Sequence, residues 1–167
     1  MGVMDRLAER WANRESGLEP IMHSQSILVR ATAADVYAFL LDPESMRVIV
    51  ADAANAFRVP GTPTGEIGEQ VCVVIRHDTG HRVDLWETTD LIPEREIRQR
   101  LVSVDTPWEE HLTIEEYGPA AARLTDTHEG FVSLGRGAEV RAYLDSSVNA
   151  SLDRIRVALE ERSKGQR

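Results

Sequence analysis

Apolar and polar positions alternate along most of the chain, and this alternation predicts β-strands. At residues 22–30 the odd positions carry more of the β-branched side chains, whereas the even positions are mostly polar. Further strand-like segments, separated by short turns rich in Gly, Pro and Asp, follow at regular intervals. Closely spaced strands with tight turns predict an antiparallel meander. These segments are residues 69–77, 82–91, 95–103, 109–117 and 123–132.

Between the first two strands the pattern changes to that of two short helices. Thr32 is a good N-cap with Asp35 three residues later, and Asp42-Pro43 both ends the first helix and begins the second. Pro and Gly then punctuate a loop over residues 58–70. These glycines do not join a strand to a helix, which excludes a dinucleotide-binding or P-loop motif.

Both ends of the chain show apolar residues at helical spacing. Val3, Leu7 and Trp11 form a narrow stripe, which predicts an extra N-terminal helix ending near Gly17 and Pro20. This helix either packs on the domain surface or serves as a lid or dimer contact through Trp11. The last helix carries a longer stripe. Its members are Val140, Leu144, Val148, Leu152, Ile155 and Leu159.

The composition narrows the range of partners. Nineteen basic and 28 acidic residues give a net charge of −9, which disfavours binding to nucleic acid. Cys72 is the single cysteine, so neither a disulfide framework nor a thiolate metal cluster is expected. No run of 18 apolar residues occurs and the N-terminus has no apolar signal region. We therefore expect a cytoplasmic protein without an integral membrane segment.

Taken together, residues 22–162 resemble the START-like superfamily (SRPBCC), also called the helix-grip or polyketide cyclase/dehydrase-like fold. The resemblance rests on "ILVRATAADVYAFLLDPE" at residues 27–44, the glycine loop with Gly65 and Gly68, the strand "ARLTDTHEGF" and the C-terminal helix. It implies an α+β domain, which we place at residues 21–167, and the predicted N-terminal helix at residues 1–20 is an extension that the family pattern lacks. It also implies a curved antiparallel sheet wrapped on the last helix, with a mainly apolar pocket between them.

Strand parity selects candidate residues for that pocket. Trp108, Leu112 and Ile114 share one face with Glu110, and Ile97 and Leu101 share one with Gln99. Leu124 and Val132 place Asp126 and His128 on the inner face, while Ser147, Ser151 and Tyr143 lie on or beside the apolar face of the last helix. The inward or outward direction of Arg76, Asp84 and Trp86 is left open by the pattern. The candidate ligand-binding residues are Trp86, Gln99, Trp108, Glu110, Asp126, His128, Tyr143, Ser147 and Ser151.

His128 and Asp126 are the best candidates for catalysis, as a proton carrier and its neighbour. A metal ion would need a third or fourth ligand, and His77 and His81 flank a turn without a spacing that requires convergence. No metal and no cofactor are therefore predicted. Neither Ser147 nor Cys72 has a histidine and an acid at the spacing of a known nucleophile motif.

Three functions agree with this pattern. The first is binding of a small hydrophobic molecule, lipid-like or polyketide-like, between the sheet and the last helix. The second is a polyketide cyclase, aromatase or dehydratase that uses acid–base catalysis. The third is a protein-interaction module, similar to a chaperone activator, that acts through its outer surface and Trp11. A homodimer through the extra helix is also possible.

Overall fold

The architecture is a seven-stranded antiparallel sheet combined with three helices, as seen in a computed structural model that describes residues 17–165. The strands are β1 Leu18–Val29, β2 Ala53–Arg58, β3 Gln70–His77, β4 Gly80–Ile92, β5 Glu96–Leu101, β6 Trp108–Glu116 and β7 Ala122–Ser133. The helices are α1 Ala33–Leu41, α2 Pro43–Ile49 and α3 Gly137–Gly165.

The strand order brings the two ends of the domain together. The strands lie in the order β1-β7-β6-β5-β4-β3-β2, so β1 pairs with β7 and the intervening strands form a meander. Helix α3 follows β7 and packs back against β1 and β7. This is the predicted helix-grip arrangement of an open sheet around a long C-terminal helix. None of the helices described in residues 17–165 is long and apolar enough to cross a membrane.

The two short helices begin where their capping residues predict. The Thr32 hydroxyl accepts a hydrogen bond from the Asp35 amide at 3.1 Å, at the start of α1. The Asp42 carboxylate accepts one from the Glu44 amide at 3.1 Å, and Pro43 occupies the first turn of α2. Both N-caps satisfy amides that have no partner within the helix, which fixes the corner between α1 and α2.

Strand β2 was not predicted from the sequence. Its residues, "AANAFR", have little β-propensity, and the strand is instead stabilised by pairing with β3. Ala56 is only 2% exposed and packs in a small core cluster with Met46 of α2 and three valine and isoleucine side chains of β3. Tertiary contacts thus produce a strand that local sequence does not specify.

The sheet also begins earlier than predicted. β1 starts at Leu18, so residues 18–20, which were assigned to the N-terminal extension, belong to the first strand. Leu18 pairs with Ser133 and Pro20 with Phe131. The predicted helix with Val3, Leu7 and Trp11 lies outside the described residues.

The main core lies between the sheet and helices α1 and α3. The predicted stripe of α3 is buried from Leu144 to Leu159, and Val140 packs at its edge. Its partners come from α1 and from the inner face of β1, β5, β6 and β7. A smaller cluster lies at the other end of the sheet, beside β2 and β3. Its members are Met46, Ala56, Val71, Val73 and Ile75.

The pairing of β3 with β4 shows which way the side chains of Arg76, Asp84 and Trp86 point, which the sequence pattern left open. Val71 and Val73 are buried on the inner face, and they lie opposite Trp86 and Asp84, which therefore share that face. Arg76 is exposed on the outer side. It is consequently a solvated charge and lines no inner pocket.

Candidate functional site

The strand register places one polar residue from each of five adjacent strands in a line across the inner face. His128 of β7 lies opposite His23 of β1 on one side and Glu110 of β6 on the other. Glu110 in turn lies opposite Gln99 of β5, and Gln99 opposite Thr88 of β4. We call these five residues the inner polar row. The apolar side chains of Ile97, Leu112 and Trp108 flank it, and Asp126 lies beside Leu112 in the neighbouring row.

Asp126 completes a compact group with two members of this row. Its Oδ1 atom lies 3.2 Å from His128 Nε2, and Glu110 Oε1 lies 3.7 Å from the same nitrogen. Glu110, Asp126 and His128 are referred to below as the acid–histidine cluster. Asp126 is 5% exposed, and the side chains of His128 and Glu110 are 12% and 16% exposed. The cluster is therefore nearly buried but reachable at its edge.

Burial and mutual charge shift the proton affinities within the cluster. Burial, reinforced by the negative charge of Asp126 and opposed by His128, raises the pKa of Glu110 to about 7. Burial disfavours the charged imidazole, but the close contact with Asp126 and the charges of both carboxylates outweigh it and raise the pKa of His128 to about 9. Near neutral pH, His128 is thus protonated and Glu110 is balanced between its two forms.

Several polar atoms here are buried without a hydrogen-bond partner. They are His23 Nε2, His128 Nδ1, Gln99 Oε1 and Asp126 Oδ1, which are four of the six such atoms in the described residues. The 3.2 Å contact of Asp126 Oδ1 with His128 brings opposite charges together, yet its geometry is not that of a hydrogen bond. Buried polar groups are rarely left unpaired in proteins, and their concentration here marks the inner polar row as a place where a partner is missing.

Trp108 forms an aromatic wall beside the cluster. Its ring centroid lies 6.0 Å from that of His128, with the planes tilted by 41°. The indole packs over Gly130 of β7, directly opposite, where a Cβ atom would lie only 2.5 Å from Trp108 Cε3. A side chain at residue 130 would therefore displace the ring from its place beside His128.

The three residues of α3 that were predicted to bind ligand lie apart from the acid–histidine cluster. Tyr143, at the margin of the apolar face of α3, is 64% exposed, so most of its side chain lies outside the core. The Ser147 side chain is half-buried, and its hydroxyl donates a hydrogen bond to the Leu144 carbonyl at 3.4 Å, an ordinary arrangement for a serine within a helix. The Ser151 hydroxyl donates to the Ile49 carbonyl at 3.1 Å, together with the Arg154 guanidinium, and fastens α3 to the end of α2.

Trp86 faces inward but belongs to another part of the sheet. It packs with the smaller core cluster, and its strand neighbours are Val71 and Leu101. The structure therefore brings Gln99, Trp108, Glu110, Asp126 and His128 together, and separates Trp86, Tyr143, Ser147 and Ser151 from them. The sequence analysis did not include His23 and Thr88 among the candidate site residues. The alternation in β1 had already placed His23 on the more apolar face, but only the β1–β7 pairing shows that it meets His128.

Two surface pockets occur elsewhere on the described residues. One, of about 460 Å³, lies beside Ala33 and the turn at Pro93, and the other, of about 370 Å³, lies between α2 and α3 beside Val48 and Arg154. Neither includes a residue of the acid–histidine cluster. The cavity predicted between the sheet and α3 is not one of these two pockets.

The fold is similar to those of several solved structures. The Zhui aromatase/cyclase from Streptomyces sp. R1128 matches with a TM-score of 0.70 and 16% identity, over 87% of this chain and 96% of that one. A START superfamily protein from Mycobacterium smegmatis matches with a TM-score of 0.71 and 14% identity, over 84% and 97% of the two chains. At such identities the similarity shows the START-like fold alone.

A longer protein has the same fold in part of its chain. The di-domain ARO/CYC StfQ from the steffimycin biosynthetic pathway matches with a TM-score of 0.71 and 16% identity. The match covers 95% of this chain but only 56% of that protein. No protein-family model matches the chain, and no curated protein matches its sequence.

Proposed function

We propose that this protein with a START-like fold binds a small, mainly apolar molecule, lipid-like or polyketide-like, between the inner face of its sheet and helix α3. The observation that carries the proposal is the set of buried, unpartnered polar atoms on an otherwise apolar face. Leaving such an atom unpaired costs about 1–3 kcal/mol, so a ligand that supplies the missing partner gains binding energy and orientation together.

The polar part of this ligand would lie against the inner polar row. Gln99 Oε1 and Asp126 Oδ1 are hydrogen-bond acceptors without a donor in the protein, so they favour a hydroxyl or amide N–H group on the ligand. The Trp108 indole beside His128 offers a flat apolar surface for a ring or acyl chain. Several proteins of similar fold are named as aromatase/cyclases, which supports a ligand of this general kind.

Native mass spectrometry, together with a binding titration, tests this proposal. The protein is titrated with a fluorescent fatty acid and with a hydroxylated anthraquinone, and co-purified molecules are extracted and identified. We expect saturable binding of at least one probe, weakened about tenfold or more by Gln99→Leu, because that change removes one polar partner. Tyr143→Ala, on the exposed side of α3, should leave binding unchanged. Absence of any bound molecule and of saturable binding by both probes would contradict the proposal.

A second candidate is an acid–base enzyme such as a cyclase, aromatase or dehydratase. It is favoured by one observation, the position of His128 Nε2 within 3.7 Å of two carboxylates and beside an aromatic wall. A histidine held in this way can pass a proton to or from a bound molecule, with Asp126 fixing its orientation. Turnover of a polyketide-like substrate should fall at least a hundredfold in His128→Ala and in Asp126→Ala. Full activity in both variants would exclude these roles.

A further inference from the structure

We infer that Glu110, Asp126 and His128 form a binding site for a divalent transition-metal ion, with Zn²⁺ as the best match, and that His23 moves to supply a fourth ligand. These residues come from three adjacent strands, β1, β6 and β7, and all face the inner side of the sheet. The inference shares Asp126 Oδ1 with the ligand site proposed above, but it rests on the geometry of the side chains and not on the organic ligand. It adds an inorganic partner that the sequence did not predict, since no third ligand was evident without the strand register.

The separation of the donor atoms fits tetrahedral coordination. One donor atom each from Glu110, Asp126 and His128 lies within 4.8 Å of the others. Two of these separations are 3.2 Å and 3.7 Å. Bonds of about 2.0–2.2 Å at tetrahedral angles place ligand atoms roughly 3.3–3.6 Å apart, so small side-chain rotations suffice to bind the ion.

His23 has no ring nitrogen within 4.8 Å of all three donor atoms, so its side chain would have to move to supply a fourth ligand. It lies directly opposite His128 across the β1–β7 pair, where the Cβ atoms of facing residues are about 4.5–5.5 Å apart. Its Nε2 atom is buried and makes no hydrogen bond. A metal ion between the two imidazoles would provide this nitrogen with the partner that it otherwise lacks.

The charge around the carboxylates also favours a cation. Among the side chains that the structure describes, those of residues 17–163, no Lys or Arg forms a salt bridge with Glu110 or Asp126, and their cationic neighbour is His128. Asp126 Oδ1 is buried in a residue that is 5% exposed, and it accepts no hydrogen bond. A divalent ion would neutralise both carboxylates at once, and the mixture of imidazole and carboxylate donors without thiolate suits Zn²⁺ or Co²⁺.

Cobalt binding provides a direct test. The full-length protein, treated with a chelator and dialysed, is titrated with Co²⁺ and monitored by visible absorption, where tetrahedral Co²⁺ gives intense d–d bands. We expect one Co²⁺ per chain, displacement of the bands by Zn²⁺, and a rise in melting temperature with either ion. Glu110→Gln, which keeps the shape of the side chain, should weaken binding at least tenfold, and His23→Ala should change the band pattern because a ligand is lost.

His81→Ala is the matched control, because His81 is exposed at the start of β4, next to the β3–β4 turn, and should leave the cobalt spectrum unchanged. Circular dichroism and the unfolding midpoint of each variant without metal separate loss of a ligand from loss of the fold. Absence of d–d bands and of stoichiometric Zn²⁺ binding in the wild-type protein would overturn the inference, as would an equal loss in His81→Ala and Glu110→Gln. Binding of the fatty acid or anthraquinone is measured separately, so either proposal can fail without the other.

Discussion

Gly130 controls the position of the Trp108 ring, because a Cβ atom here would meet Trp108 Cε3 at 2.5 Å and the Pro107 carbonyl oxygen at 2.9 Å. We predict that Gly130→Ala lowers the free energy of unfolding by about 1–3 kcal/mol, the usual cost of forcing an extra methyl group into a packed site. Denaturant unfolding measures the change.

The neighbouring residue Glu129 provides the control for this prediction. Its side chain is on the exposed outer face of β7, so Glu129→Ala should change the free energy of unfolding by less than about 0.5 kcal/mol. If Gly130→Ala were as stable as this control, the Trp108 ring would not depend on the absence of a side chain at residue 130.

Glu110 should make stability depend on pH in the metal-free protein. Its folded pKa of about 7 lies above its ordinary value of 4.5, so folding takes up a proton between these values. This contribution to the free energy of unfolding is fully present below about pH 4.5 and is lost as pH rises through about 7. Glu110→Gln cannot titrate, so relative to wild type it should gain about 1–3 kcal/mol between pH 5 and pH 8.

Urea unfolding at pH 5 and pH 8, with chelator present, measures this difference. Glu109→Gln is the matched control, because Glu109 precedes Glu110 in β6 but lies exposed on the outer face. A constant difference between Glu110→Gln and wild type across this range would show that Glu110 does not hold its proton on folding.

The sequence pattern predicted which single residues face inward, but it did not predict which of them lie next to one another. The period of two in β5, β6 and β7 correctly placed Gln99, Glu110, Asp126 and His128 on the inner face. That period says nothing about which residue of a neighbouring strand lies opposite, because register depends on turn lengths and on pairing between distant strands. The sequence analysis therefore did not join Glu110 to Asp126 and His128 as a third donor, and it predicted no metal.

At the scale of elements, a side chain of the first strand caps the N-terminus of α3. The Glu19 carboxylate of β1 accepts hydrogen bonds from the amides of Gly135 and Gly137, at 3.1 Å and 2.7 Å. It satisfies two amides at the start of the helix and places a negative charge at the positive end of the helix dipole.

Removing this cap should loosen the attachment of α3. We predict that Glu19→Ala lowers the free energy of unfolding by about 1–2 kcal/mol, because both the acceptor and the charge are lost. Glu19→Gln keeps an acceptor oxygen and should lose less than half as much. Thermal or urea unfolding of the two variants checks the order, and equal losses would contradict a capping role for the carboxylate oxygen.

Elements with strong local signals were predicted, and those that depend on tertiary contacts were not. Thr32 and Asp42 mark the starts of α1 and α2 by capping chemistry that acts within a few residues. Strand β2 has no such signal. In β4, the register shift between Thr88 and Asp90 changes which residues face inward, and no glycine or proline marks this position in the sequence. Both features arise from pairing with neighbouring strands.

Across the whole molecule, the two core clusters differ in size, and this difference should appear in local stability. The cluster of Met46, Ala56, Val71, Val73 and Ile75 supports only the β2–β3 side of the sheet, whereas the main core joins four strands to α1 and α3. We predict that amides in β2 and β3 exchange hydrogen at least tenfold faster than those in β6 and β7, because fewer buried contacts oppose their opening.

Hydrogen exchange followed by mass spectrometry measures this order, with peptides from the two halves of the sheet compared in one sample. The amide of Val59, which donates to the Gln70 carbonyl beside the β2–β3 pair, should follow the faster group. Equal protection in both halves would mean that the sheet opens only as a single cooperative unit.

The pairing of the first strand with the last has a consequence for synthesis. Ser24 of β1 and Thr127 of β7 share a hydrogen bond although they are 103 residues apart. At typical ribosomal rates, β1 emerges about 5–20 s before its partner, and its hydrogen-bonding edge stays open throughout that delay. His23 meets His128 only after β7 has left the exit tunnel, so the nascent chain cannot complete the inner polar row before that point.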